Sequence, residues 1–187
     1  MNKLKFNPLF LAIIVASTLA LSSCKDDDVV NPPNPNEEEL ITSVELTFIN
    51  LGDPSDVSIF KFADPDGEGG NSPTRTDTVK LISNGSYSLS LRFLDESSAE
   101  IENITEEIID EATDHLVCIS SSSVGVSIAP EDLDDNNLVI GLENSVSTGA
   151  SELTDLLVNL KHQPGIKDGD CDKGETDVEV TFVLEVE

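Results

Sequence analysis

The chain contains two histidines, and both stand where metal ligands could be gathered. His115 follows Asp114 at the close of an acidic segment with Glu102, Glu106, Glu107, Asp110 and Glu111, while His162 precedes Gln163, Pro164 and Gly165. Two neutral imidazoles with one or two carboxylates form a donor set suited to Zn²⁺ or another divalent first-row ion. His115, His162, Asp114 and Glu111 are therefore the candidate metal ligands. The condition is spatial: shared ligation needs the two rings within about 4 Å of each other. A lone histidine is more often a hydrogen-bonded structural residue, and acids along a helix are more often a solvated face.

Two acidic, glycine-bearing runs offer a second chemistry. Asp64, Asp66 and Glu68 alternate with Pro65, Gly67 and Gly69, and Asp168, Asp170 and Asp172 flank Gly169 and Cys171. Ca²⁺ needs several oxygens around one point, and glycine lets backbone wrap tightly enough to supply them. Neither run is an EF-hand. Arg75 stands where the first would need its last acid, and Lys173 opposes a cation in the second. A plain acidic hairpin is the competing reading of both.

Three cysteines remain to be placed. Cys24 belongs to the N-terminal signal described below, which leaves Cys118 and Cys171. In an exported protein such a pair is expected to form a disulfide, the alternative being two thiols too far apart to bridge. Enzymatic signatures are missing: there is no phosphate-binding glycine motif, no Gly-x-Ser-x-Gly elbow and no His-Glu-x-x-His. The chain is expected not to be an enzyme.

The first 39 residues carry an address. Lys3 and Lys5 precede an apolar run from Phe6 to Leu21, and Leu21-Ser22-Ser23-Cys24 closes it. The run is too short for a membrane span and suits a secretory signal. Its end resembles the lipobox of bacterial lipoproteins, which implies cleavage after Ser23 and a diacylglycerol on Cys24. Residues 1–23 are thus read as signal peptide. Residues 24–39 hold Lys25-Asp26-Asp27-Asp28, three prolines and Glu37-Glu38-Glu39, a composition that cannot bury a core and reads as an extended tether. The Lys-Asp-Asp-Asp run is similar to the signal that sends Bacteroidota lipoproteins to the outer face of the outer membrane.

Residues 40–187 read as one all-β domain, an antiparallel β-sandwich of immunoglobulin-like or related type with one short helical segment. Val178, Val180, Phe182, Leu184 and Val186 point one way with Glu179, Thr181 and Glu185 pointing the other, and Tyr87, Leu89, Leu91 and Phe93, and Val44, Leu46 and Phe48, alternate with polar residues in the same way. Further strands are expected over 56–62, 76–82, 116–120, 124–128, 138–142 and 153–161, separated by turn residues such as Asn84-Gly85 and Pro164-Gly165. Ile101, Ile104, Ile108 and Ala112 recur at helical spacing, with Asn103 and Glu106 placed for a capping box. The formal charge of −27 disfavours nucleic acid and anionic surfaces as partners and suits cations or basic proteins.

Several stretches resemble a family of small Bacteroidota surface lipoproteins: Glu38-Glu39-Leu40-Ile41-Thr42, the loop Asp64–Pro73, Glu102–Glu107 with Asp114-His115, Leu160–Pro164, and Gly174–Val180. Its members are often labelled type 1 periplasmic binding fold proteins. That fold needs two α/β lobes and about twice this length, so the sandwich is the expectation here. The resemblance implies an accessory role beside a TonB-dependent receptor. The expected function is a surface-anchored, non-catalytic lipoprotein that binds a ligand or divalent metal ion. The alternative is a structural or adhesive sandwich that contacts other proteins.

Overall fold

A computed structural model describes residues 40–187 except Glu68, and the described residues all belong to one compact unit. The signal peptide, Cys24, the tether and Glu68 lie outside the described residues.

Ten strands and one helix follow in the order β1 (Ser43–Asn50), β2 (Val57–Ala63), β3 (Arg75–Thr76), β4 (Val79–Leu81), β5 (Ser86–Leu94), α1 (Ile104–Asp110), β6 (His115–Ser121), β7 (Val126–Pro130), β8 (Glu143–Thr148), β9 (Glu152–His162) and β10 (Glu175–Val186). They form a six-stranded sheet, β3-β2-β1-β5-β8-β7, and a four-stranded sheet, β4-β10-β9-β6. The fold is an all-β sandwich. Every strand pair is antiparallel except β4 with β10.

The alternating apolar positions supply the core. Val44, Leu46 and Phe48 of β1, Leu89, Leu91 and Phe93 of β5, Leu156, Val158 and Leu160 of β9, and Val180, Phe182 and Leu184 of β10 are all buried. One face of each strand is thus removed from water while the other stays wet, which is what a period of two specifies. The Tyr87 ring meets Phe48 edge-on at 6.0 Å, and its hydroxyl accepts a hydrogen bond from the Ile82 N–H.

Two strand expectations are corrected. The run 76–82 is not one strand: Thr76 ends β3 in the larger sheet, Val79 begins β4 in the smaller, and Asp77-Thr78 crosses between them. The apolar run 138–142 is a strap along the sandwich's side rather than a strand. Ile140 O accepts from Val117 N of β6 and Leu142 O accepts from Leu91 N of β5, so the strap ties one sheet to the other. The strand lies just beyond it, as β8, whose inward row Asn144, Val146 and Thr148 is mostly polar. Asn144 donates to Gly141 O and Thr148 to Ile82 O, which satisfies the buried polar groups.

The strap depends on Gly141. Its φ is +88° and an added Cβ would lie 2.2 Å from Val117 O, a backbone atom with nowhere to go. Gly141→Ala is expected to cost about 3 kcal/mol, read as a fall of about 10 °C in the thermal midpoint. An unchanged midpoint would mean the strap can leave β6 freely.

The helical segment is shorter than its sequence spacing implies. Helix α1 spans seven residues, Ile104 and Ile108 are buried, and Ile101 lies outside it with 60% of its surface exposed. Thr105 fixes the helix to β5 by donating to Phe93 O and accepting from Phe93 N. Asn103 donates to the Glu106 side chain but makes no side-chain cap to the backbone, so the capping box is not formed. The last turn has no basic residue, and Asp110 and Glu111 put negative charge at the negative end of the helix dipole. The chain turns at Glu111 and enters β6.

Candidate metal centre

The histidines meet because of strand register. His115 opens β6 and His162 closes β9, and they are directly opposite partners in the antiparallel ladder. Directly opposed residues have Cβ atoms about 5 Å apart on one face. They extend the inward rows Ile119–Val158 and Val117–Leu160 by one step, out of the apolar core toward its end. The two rings stack with centroids 4.8 Å apart and planes 11° from parallel. His115 has no exposed surface, and His162 is 96% buried, with 4% exposed.

His115 Nδ1 lies 3.2 Å from Glu111 O. A carbonyl oxygen can only accept, so Nδ1 carries the proton and Nε2 of the neutral ring carries a lone pair. Nε2 of His115 and Nε2 of His162 are both buried, and neither has a hydrogen-bond partner. A buried polar atom without a partner costs about 1–3 kcal/mol. Two such atoms on one pair of stacked rings add these costs together, and a metal ion is one partner that could remove both.

Glu111 completes the group. One ligand atom from each of Glu111, His115 and His162 lies within 4.8 Å of the other two. With metal–nitrogen bonds of about 2.1 Å, the donors need to close by about an ångström to share one ion. Glu111 is half-buried at the end of α1, with its backbone N–H on Glu107 O and its carbonyl accepting from Asp114 N. One residue thus orients the His115 ring through its backbone and offers a carboxylate through its side chain. Two nitrogens and one carboxylate oxygen suit imidazole-preferring divalent ions and are far short of the six to eight oxygens of Ca²⁺.

The electrostatics favour a neutral ligand. Burial lowers the His115 pKa below its ordinary value of 6.5, opposed by the hydrogen bond to Glu111 O and assisted by His162 and Lys167. The unfolded chain therefore takes this proton first as the pH falls. Metal-free protein is expected to lose stability below about pH 6.5, by at most about 1.4 kcal/mol per pH unit for this one group, and to level off below the folded-state pKa. Denaturation midpoints at pH 7.5 and 5.5 in chelator test this. His115→Gln should remove that part of the pH slope, and an unchanged slope would refute the assignment.

Other candidate ligands are placed differently. Asp114 stands beside the site, but it bonds there through its backbone, to Glu111 O and from Gln163 N, and its carboxylate is not part of the three-ligand group. Asp64 is buried with Oδ1 unpaired, and burial followed by the neighbouring Asp66 raises its pKa. Asp66 accepts from Asn71 N and Nδ2. Asp168 is ion-paired with Lys173 and accepts from Asp170 N, and Asp170 in turn accepts from Asp172 N. Among the described residues, neither acidic run gathers three ligating groups. Cys118 and Cys171 form a disulfide that joins β6 to the β9–β10 loop, with Cα atoms 6.1 Å apart.

Sequence reasoning missed one neighbour. Lys167 Nζ donates to Ala112 O at 2.7 Å and to Asp134 Oδ2 at 2.8 Å, with the two side chains 2% and 0% exposed. Lys167 and Asp134 are 33 residues apart in loops whose composition looks solvated, so nothing local signals a buried pair. Burial pushes the Asp134 pKa up, but hydrogen bonds from Lys167 and from the backbone of Leu138 and Asn136 outweigh it and hold the carboxyl below its usual range. Compared with known proteins, the chain matches no family model, no curated protein and no solved structure.

Proposed function

We propose that this protein is a lipid-anchored, non-catalytic surface module that captures a divalent first-row metal ion, Zn²⁺ by donor preference, through Glu111, His115 and His162. The observation that supports the capture is the pair of buried, partnerless Nε2 atoms on facing imidazoles, beside a carboxylate. An ion entering there replaces two unmet desolvation costs with two bonds. The address rests on the N-terminal signal and on Cys24, and the accessory role beside a TonB-dependent receptor rests on the family resemblance. Strong negative charge favours cation encounter and disfavours nucleic acid as a partner.

The test is metal content and affinity of protein purified without chelator, with His115→Ala/His162→Ala alongside. One equivalent of a divalent first-row metal in the wild type and none in the variant is expected. Calcium retained by both would move the function to the Asp64 or Asp168 loops. No metal in either would leave the structural or adhesive reading.

A further inference from the structure

Of the three grouped ligands, only Glu111 is not held by a strand ladder. His115 and His162 are fixed by the β6–β9 register, whereas Glu111 sits where a seven-residue helix ends without a basic residue of its own. The Glu111 backbone is tied to Glu107 O, Asp114 N and the His115 ring, all on its own stretch of chain, so any tie to the rest of the fold must come from elsewhere.

Lys167 supplies that hold. Its ammonium reaches Ala112 O, one residue beyond Glu111, and brings to the helix end the positive charge that the local sequence lacks. Its other partner, Asp134, is itself anchored: Asp134 Oδ1 accepts from Asn136 N at 2.8 Å and Leu138 N at 2.9 Å. The Lys167 backbone N–H donates to Gln163 O, beside His162. A single side chain therefore spans from the segment bearing one imidazole to the turn bearing the carboxylate. Buried ion pairs add little net stability, since desolvation cancels most of their attraction, so a positioning role accounts for this one better than a stabilising role.

We propose that the Lys167–Asp134 ion pair is the outer support that positions Glu111 as the third ligand of the metal centre. This rests on the metal-binding reading above. The Lys167 ammonium hydrogen-bonds to Ala112 O and Asp134 and to no ligand side chain, so its hold on Glu111 runs through Ala112 and the turn. A double variant at Lys167 and Asp134 removes its charge together with the opposite one. Outer partners of metal ligands typically alter affinity by about 10- to 100-fold.

The experiment is a Zn²⁺ affinity cycle. Lys167→Met/Asp134→Asn removes both charges and leaves neither partner charged and alone. It is expected to weaken Zn²⁺ binding about 10- to 100-fold while Glu111 is present, and to have no further effect in a Glu111→Gln background. Lys167→Arg, which keeps the buried charge paired and so protects the fold, should show a smaller loss with the same dependence on Glu111. Equal losses in both backgrounds, or no loss in either variant, overturn the positioning role and leave the metal site intact. Wild-type protein that takes no Zn²⁺ overturns the metal reading and this proposal together.

Discussion

Adding Zn²⁺ is expected to raise the thermal midpoint of the wild-type protein by about 10 °C and to leave His115→Ala/His162→Ala where it was. Binding to the folded state alone stabilises by about 4 kcal/mol when free metal is a thousand times the dissociation constant. For a domain of this size each kcal/mol moves the midpoint by about 2–4 °C. The unfolded chain keeps two histidines but loses the register that opposes them, so the ion discriminates between the states. In metal-free protein the same substitutions have opposing effects. Removing two buried rings leaves a cavity, which destabilises, and also removes two unpaired nitrogens, which relieves a cost. The metal-free midpoints of the two proteins are therefore expected to lie closer together than their metal-loaded ones. Scanning calorimetry with and without Zn²⁺ reads both differences. An equal Zn²⁺ shift in the two proteins would place the ion elsewhere, with the acidic loops at Asp64 and Asp168 the sites to test next.

The parts of the structure that were legible in the sequence are those in which one local rule decides the outcome. The rows ending at Val186 and Phe93 alternate because each strand has one dry and one wet face, and their assignment needed nothing distant. Strand β8 escaped because Asn144 and Thr148 face inward, and their burial is tolerable only through partners at Gly141, Ile82 and Gly85. The run 138–142 misled for the opposite reason. It is apolar because Ile140 and Leu142 are buried, yet its hydrogen bonds go one to each sheet. The candidate site divides the same way. Residue types pointed to His115, His162, Glu111 and Asp114, but only the register of β6 on β9, a pairing between segments distant in sequence, brings three of these together and leaves Asp114 out. Lys167 was invisible for the same reason. Its role depends on Ala112, 55 residues away, and on Asp134, and no periodicity encodes such a meeting.

Replacing Cys118 and Cys171 with serine is expected to lower unfolding free energy by about 4 kcal/mol. The bond closes a chain separation of 53 residues, and a loop of that size restricts the unfolded ensemble by about this amount. The loss is a large share of the roughly 5–15 kcal/mol that holds a domain folded. The location sharpens the expectation. Strand β6 ends the four-stranded sheet, with β9 on one side and a hydrogen bond from the strap at Ile140 on the other. The disulfide adds a covalent tie from β6 to the loop that leads into β10, on the far side of β9. His115 lies on β6 three positions before Cys118, but its register with His162 and its bond to Glu111 do not involve the disulfide. Zn²⁺ affinity of the folded serine variant is therefore expected to match the wild type while its denaturant midpoint falls. Affinity and stability would then separate cleanly. A stability loss under about 1 kcal/mol would mean that the unfolded chain already keeps these segments close, so the bond has little freedom to remove. A parallel collapse of Zn²⁺ affinity would mean that the bond, rather than the β6–β9 ladder, holds His115 opposite His162.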